Sequence, residues 1–362
     1  MKIVLTGGHH SSALPVIKEL RNRYENLEIF WFGHKHSIKG NKNETLEFKE
    51  IKALNIPFYD LKAGKFYRTF DLARLAKIPF GFFQSLFWLI KIRPEIILSF
   101  GGYLAVPTVL AGWVLGIPSI THEQTVVAGY ANRLISKFVK KIMYSWESSA
   151  NNFSPEKAIF VGLPLRDEIF EVKSDNFSVN TVLPTIYITA GKTGSHKINK
   201  VVEESLEGLL NFYNVIHQCG DLSFDNDYER LSCVKNGRGK YYPRKFVFVN
   251  EIGEVFNKAD LIISRAGAHI IYEMLCLQKP ALLIPISWSS HNEQFKNAEN
   301  MKNIGLAEIL EEKDLSAENL VLSVKKMLDN MEKYKVQNIN YKKDSAKLIV
   351  DCVDETKASK TT

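Results

Sequence analysis

The chain has 362 residues, 45% hydrophobic and 24% charged, with a formal net charge of +7. That length exceeds what one hydrophobic core usually serves and the composition is globular, so two domains are expected and a disordered or fibrous chain is excluded. The modest positive excess favours anionic partners such as nucleotides, phosphates or acidic lipid surfaces; with no helix-turn-helix, zinc-finger or RNA-binding signature, no nucleic-acid partner is expected.

The first residues form a β-rich run at 2–6 with no charged and apolar leader ahead of it, so no secretory signal is expected. Further β-rich runs follow at 28–32, 95–100, 117–121, 141–145 and 158–161, separated by helical patterns at 13–24, 104–115 and 128–138. Such alternation argues a mostly parallel sheet covered on both faces. The second half repeats the scheme, with strands expected at 185–189, 215–218, 245–249, 261–264 and 280–285 and helices at 197–213, 269–277, 292–304 and 317–331. The fold class is therefore α/β, as two doubly wound Rossmann-like domains. The first is expected over 1–170, a polar strand-free linker over 171–184, the second domain over 185–340, and a terminal helix and tail over 341–362, frayed from 354. Cys219, Cys233, Cys276 and Cys352 form no CxxC pair and no ligand-like cluster with histidines. They read as reduced thiols of a cytoplasmic protein, and no bound metal is expected.

The apolar run 78–90, interrupted by Gln84, falls well short of the roughly 20 residues that a membrane span needs. Lys62, Lys65, Arg68, Arg74 and Lys77 precede it, and Lys91 and Arg93 follow. Basic residues beside aromatic ones suit an anionic lipid interface, each basic residue contributing about 1 kcal/mol. The alternative is a covered core helix.

Several strand ends carry residues suited to anions. Gly7-Gly8 and Phe100-Gly101-Gly102-Tyr103 each lie between a strand and a helix, where backbone amides face a helix N-terminus. His122-Glu123-Gln124 ends another strand but is no zincin motif. Ala266-Gly267-Ala268 leads from a strand into a helix carrying Glu273, and Arg265 can add charge-assisted hydrogen bonds. The loop at 190–195 contains Gly-Lys-Thr, yet Ile186 stands where a Walker loop needs its first glycine.

These motifs, with Gly162-Leu163-Pro164-Leu165-Arg166 and Glu293-Gln294 followed by Asn297-Ala298, resemble in order and spacing the MurG family over roughly residues 1–330. The resemblance implies a GT-B fold, two doubly wound domains facing a shared cleft. It implies inverting transfer of N-acetylglucosamine from UDP-GlcNAc to the undecaprenyl-linked muramyl pentapeptide of peptidoglycan synthesis, with no cofactor, by a peripheral protein at the cytoplasmic face of an anionic cell membrane. On the acceptor side it implicates Gly7, Gly8, Gly101, Gly102, Tyr103, His122, Glu123, Gln124 and Thr125, the last where the family has asparagine. The family's loop reads G-G-T-G-G-H and supplies a catalytic histidine; here it reads Gly7-Gly8-His9-His10-Ser11-Ser12. Ser12 takes the histidine's place, leaving His10 and His9 as candidate bases and Ser12 to orient the hydroxyl. On the donor side the resemblance assigns the diphosphate to Gly267, Ala268, His269, Arg265, Arg166 and Lys192, the last in place of a small hydroxyl residue. Glu273 would hold the ribose hydroxyls, Glu293 and Gln294 the sugar, and the backbone of Val249 the uracil. A nucleotide-sugar epimerase, a transferase with another lipid acceptor and a non-catalytic UDP-sugar binder remain as alternatives.

Overall fold

A computed structural model describes residues 1–36, 44–62, 77–221, 226–287, 292–336 and 340–359, with backbone only at 77 and 78. The chain separates into two compact units, Met1–Leu165 with Lys342–Thr362, and Arg166–Tyr341.

The first unit begins with β1 (Lys2–Thr6), α1 (His10–Arg23), β2 (Glu28–Gly33), α2 (Leu46–Ala53), β3 (Phe58–Asp60) and α3 (Lys77–Ile92). It continues with β4 (Ile96–Ser99), α4 (Ala105–Val114), β5 (Ser119–Glu123), α5 (Tyr130–Ile135), β6 (Lys141–Tyr144) and β7 (Ala158–Phe160). All pairings are parallel, in the order β3-β2-β1-β4-β5-β6-β7. Successive residues of β1 point to opposite faces: Ile3 and Leu5 pack on Val16, Ile17 and Leu20 of α1, whereas Val4 packs with Leu89 of α3 and Ala111 of α4. A sheet covered on both faces needs this unbroken apolar strand.

The second unit holds β8 (Thr185–Thr189), α6 (His196–Leu210), β9 (Asn214–Gln218), α7 (Asp227–Ser232), β10 (Tyr241–Arg244), α8 (Ile252–Lys258) and β11 (Leu261–Ser264). There follow α9 (Ala268–Leu277), β12 (Ala281–Leu283), α10 (Glu293–Ile304), β13 (Ala307–Ile309) and α11 (Ala317–Leu328). Its six strands are again parallel, in the order β10-β9-β8-β11-β12-β13. The last helix, α12 (Ser345–Ala358), returns to the first unit.

Four expectations change. The strand expected at 245–249 lies at β10 instead. The ladder with β9 closes where Cys219 N donates to Arg244 O at 3.0 Å, and Gly220, at φ +85°, then turns β9 away, leaving the alternating 245–249 segment no strand to pair with. Helix α1 starts at His10, three residues early, so His10, Ser11 and Ser12 join its first turn. The 171–184 segment is fastened to the second unit: Ser174 Oγ, Asn176 N and Phe177 N donate to the Glu254 carboxylate at 2.6, 2.8 and 2.9 Å. Finally, the chain is helical past 354, because Arg23 binds Asp351 and Asp354 at 2.6 and 2.9 Å while Val350, Val353 and Thr356 bury the other face.

Candidate functional site

At the strand ends of the first unit the two glycine loops touch. Gly8 N donates to Gly101 O at 3.1 Å, and Gly101 N donates to Ser99 Oγ at 3.0 Å. Gly7 stands at φ +134° and Gly101 at φ +72°; a Cβ on Gly7 would come 2.8 Å from Gly101 O, and one on Gly101 2.6 Å from Asn132 Nδ2. Glycine is needed for the backbones to approach this closely. His9 caps α1 and keeps an exposed face, yet the protein crowding its ring and the neighbouring His10 both push its imidazole below the usual value. His10 Nε2 lies 2.9 Å from Glu50 Oε2 on α2. Ser12 is fully buried, so only His9 and His10 of the three loop candidates present surface to a ligand.

His122, Glu123 and Gln124 at the end of β5 are brought together but are all buried. His122 Nε2 donates to the Gly162 carbonyl at 2.9 Å, leaving Nδ1 as an acceptor with no partner among the described residues. Burial is the main cause that lowers its imidazole to about 4, against the carbonyl's opposing pull, so the ring is neutral. The Glu123 carboxylate accepts from Thr125 N (3.0 Å), Thr125 Oγ1 (2.9 Å), Gly129 N (3.3 Å) and Asn132 Nδ2 (2.7 Å). Burial still raises its carboxyl above the ordinary range despite those bonds. Glu123 thus organises the 124–132 loop rather than meeting solvent, and Thr125 belongs to the same network. Gln124 differs, since neither of its amide atoms has a hydrogen-bond partner among the described residues. Tyr103 is half-buried with its ring 5.6 Å from that of His34. Burial and the charge of Glu47 push its hydroxyl to about 12. Gly102, at φ +79°, brings its own strand end toward Gly8.

Sequence reasoning missed three participants here. Glu50 faces His10; Glu47 accepts from Trp31 Nε1 at 2.6 Å and is raised by burial to about 7; Asn132 joins Glu123 beside Gly101. The acids' spacing on α2 was the available signal, but only folding brings α2 beside α1.

In the second unit, β11 feeds α9 through Gly267, whose helix has no acidic residue in its first turn and no side-chain cap. The first-turn amides of Ala268 and His269 therefore carry the helix's positive end. Glu273 is only 6% exposed, with Arg166 Nη2 3.5 Å from its Oε1. Burial raises this carboxyl and Arg166 opposes the rise. Arg265 contacts Glu312 Oε1 at 2.5 Å, Ile284 O at 3.1 Å and Ser195 Oγ at 3.0 Å. Its charge is thereby largely answered inside the protein, and it ties the 190–195 loop to the end of β12. Lys192 is exposed on that loop. Gln294 Oε1 accepts from Ile286 N at 3.1 Å, and Glu293 opens α10 beside it. Asn297 Nδ2 donates to Ala266 O at 3.0 Å while its Oδ1 has no protein partner. Val249 and Phe248 are exposed on the loop after β10.

Among the described residues, no group of three or more His, Cys, Asp and Glu side chains could hold a metal ion. The charge available to a ligand is that of helix N-termini, lysine and arginine.

Residues 6–144 match the glycosyltransferase family 28 N-terminal domain, and residues 185–353 match its C-terminal domain. The chain is 33% identical to the UDP-N-acetylglucosamine–N-acetylmuramyl-(pentapeptide) pyrophosphoryl-undecaprenol N-acetylglucosamine transferase 2 of Bacillus cereus, over 98% of this chain and 99% of that protein. It is also 33% identical to the corresponding transferase of Clostridium botulinum, over 92% of both. Among solved structures, Acinetobacter baumannii MurG superposes with a TM-score of 0.74 at 21% identity, over 98% of this chain and 99% of that one. The UDP-GlcNAc 2-epimerase of Neisseria meningitidis superposes at 0.66 and 17% identity, over 98% and 100%, so the fold alone is common to transferases and epimerases. The full-length identity to the named transferases decides between them: the chain belongs to the MurG family of N-acetylglucosaminyltransferases.

Proposed function

We infer that this protein transfers N-acetylglucosamine from UDP-GlcNAc to an undecaprenyl-pyrophosphoryl N-acetylmuramyl pentapeptide. The observation that carries the reading is 33% identity, over nearly the whole chain, to relatives so named. In this reading the muramyl O4 hydroxyl attacks the anomeric carbon, the C1–O bond to UDP breaks with inversion, and a loop histidine takes the hydroxyl proton. His10 suits that task because its imidazole opens α1 beside the glycine loops, with Glu50 Oε2 2.9 Å from its Nε2 to orient the ring. The departing diphosphate meets the amides of Gly267, Ala268 and His269 together with Lys192 and Arg166, which answer its developing charge. Glu273 takes the ribose, the Val249 backbone the uracil, and Glu293 and Gln294 the sugar hydroxyls. Arg265 acts through Ser195, holding the loop that carries Lys192. On the acceptor side Gly7, Gly8, Gly101, Gly102 and Tyr103 receive the lipid diphosphate and muramyl group, with Gln124 buried behind them. His122, Glu123 and Thr125 support them from below.

The reading extends to a peripheral site at the cytoplasmic face of the membrane. Phe80, Phe83, Phe87 and Ile90 form an exposed stripe along α3 at helical spacing, whereas Phe82 and Trp88 pack partly into the core. Lys62 lies over the Phe80 ring and Lys91 over the Trp88 ring, 5.9 and 5.4 Å from the centroids. An apolar stripe rimmed by cations suits anionic headgroups. Lys65, Arg68 and Arg74 lie outside the described residues, as does the side chain of Lys77. No helix among the described residues is long and apolar enough to cross a membrane.

The test is transfer of radiolabelled GlcNAc to the purified muramyl lipid in vesicles. Acceptor-dependent release of UDP and label in lipid are expected; UDP release without acceptor, or an epimerised sugar, overturns the reading. Phe83→Ser combined with Phe87→Ser and Ile90→Ser should lower turnover and vesicle binding while leaving UDP-GlcNAc affinity unchanged.

A further inference from the structure

The donor site as read above draws on two loops, 190–195 after β8 and 245–250 after β10. One buried side chain bonds to both. Gln218 is the last residue of β9, the strand between them, paired with Thr189 on one side and Arg244 on the other. Its Nε2 donates to Thr189 Oγ1 at 3.2 Å and to Gly191 O at 3.0 Å, while its Oε1 accepts from Val247 N at 2.9 Å. The side chain is 8% exposed. A carboxamide alone offers an acceptor and a two-hydrogen donor at the same short reach, so each loop receives the group it needs. The surrounding backbone leaves little slack: a Cβ on Gly194 would lie 1.9 Å from Cys219 O, and one on Gly220 2.4 Å from Gly194 N.

We propose that Gln218 is a positioning residue that couples the two loops, so that recognition of the uracil and of the diphosphate is one cooperative event. The proposal rests on the UDP-sugar reading of this unit. Ordering the 245–250 loop around a base fixes Val247 N, and through the carboxamide fixes Gly191 beside Lys192. The second contact then needs less ordering than it would alone. Reciprocity follows: an anion on the 190–195 loop orders the 245–250 loop to the same degree.

The experiment titrates the full-length protein with uridine, UMP and UDP by calorimetry, and follows hydrogen exchange of peptides covering 245–250 with pyrophosphate alone. In the unsubstituted protein, pyrophosphate should slow exchange in 245–250. Gln218→Glu keeps an acceptor for Val247 N but turns a carboxylate toward the Gly191 carbonyl. It should hold uridine affinity within about twofold, weaken UDP at least about tenfold, and abolish the pyrophosphate effect on 245–250. Gln218→Leu releases both loops and should weaken uridine and UDP alike. Should that variant fail to fold, Gln218→Glu and the exchange readout still decide. If a folded Gln218→Glu weakens uridine and UDP by the same factor, or leaves the pyrophosphate effect intact, the coupling is overturned. If the unsubstituted protein binds no UDP, the UDP-sugar reading itself falls and the coupling with it.

Discussion

At the strand ends of the first unit, polar side chains are buried with hydrogen-bonding capacity left over; at those of the second, they mostly consume one another. His122 Nδ1, both amide atoms of Gln124 and Asn132 Oδ1 have no partner among the described residues. Across the other sheet, Arg166 faces Glu273, Arg265 joins Glu312 and Ser195, and Gln218 joins two loops. Among the described residues, Asn297 Oδ1 breaks that pattern. A buried group left unsatisfied costs about 1–3 kcal/mol, so water or a polar ligand that reaches these spare donors and acceptors is held by them. At the second rim a ligand must compete with or extend existing pairs.

The largest expected effect comes from disturbing a close backbone approach in the second rim. Gly194→Ala places a methyl 1.9 Å from Cys219 O at φ +78°, and should destabilise by several kcal/mol, on the order of 3, with donor binding lost. Gly8→Ala meets no atom within 4 Å and should leave the melting temperature unchanged. Equal melting of the two variants would show that the second rim is not tight.

Acid should probe both rims next. Burial lowers His122 to about 4 and His217 to about 3, so each contributes stability that is present above 6.5 and lost as pH falls toward those values. Burial raises Glu47 to about 7, and its contribution is present below 4.5 and lost as pH rises through 7. The signs are opposite over 4.5–6.5. A tenfold change in proton affinity is worth about 1.4 kcal/mol, which makes these effects a few kcal/mol at most. In melts of the full chain across pH, His217→Asn should flatten the acid loss and Glu47→Gln should steepen it. A slope that neither substitution changes would remove both groups as its source.

Much of this architecture can be read from the sequence, and the exceptions are instructive. Strand and helix alternate clearly because parallel strands such as 2–6, 185–189 and 261–264 are short unbroken apolar runs between helical patterns. The three-residue β3 and β13 carry too little pattern to stand out. Residues 245–249 alternate like a strand, but whether they pair depends on where β9 ends, which Gly220 decides. The glycine loops and Glu273 were legible from local spacing. Glu50 beside His10, Asn132 beside Gly101, and Gln218 between two loops are pairings over long stretches of chain, which no local pattern encodes.

Glu273 and His10 sharpen the contrast through function. If Glu273 holds the ribose, Glu273→Ala should cost about 1–3 kcal/mol in UDP-GlcNAc binding by calorimetry, in a chain that stays folded because Arg166 keeps solvent access. His10→Ala should lower kcat at least about tenfold with donor affinity retained, whereas His9→Ala should act chiefly on acceptor KM. Full kcat in both histidine variants would remove the loop as the source of the base. Returning the family histidine to Ser12 should not rescue His10→Ala, since Ser12 has no accessible surface and its helical turn is already packed.

The mildest test on stability is also the most direct test of the unsatisfied rim. Gln124 and methionine have similar lengths and shapes, and methionine asks for no hydrogen bonds. If the amide has nothing to bond with until a ligand arrives, Gln124→Met removes a desolvation penalty and the protein should gain up to about 1 kcal/mol. Acceptor KM should rise several-fold if lipid binding opens the rim to that amide, and donor affinity should not move. Stability and function would shift in opposite directions at one residue. A melting temperature that falls by several degrees would mean that protein groups satisfy Gln124, and the distinction between an unsatisfied first rim and a paired second rim would fail at its central residue.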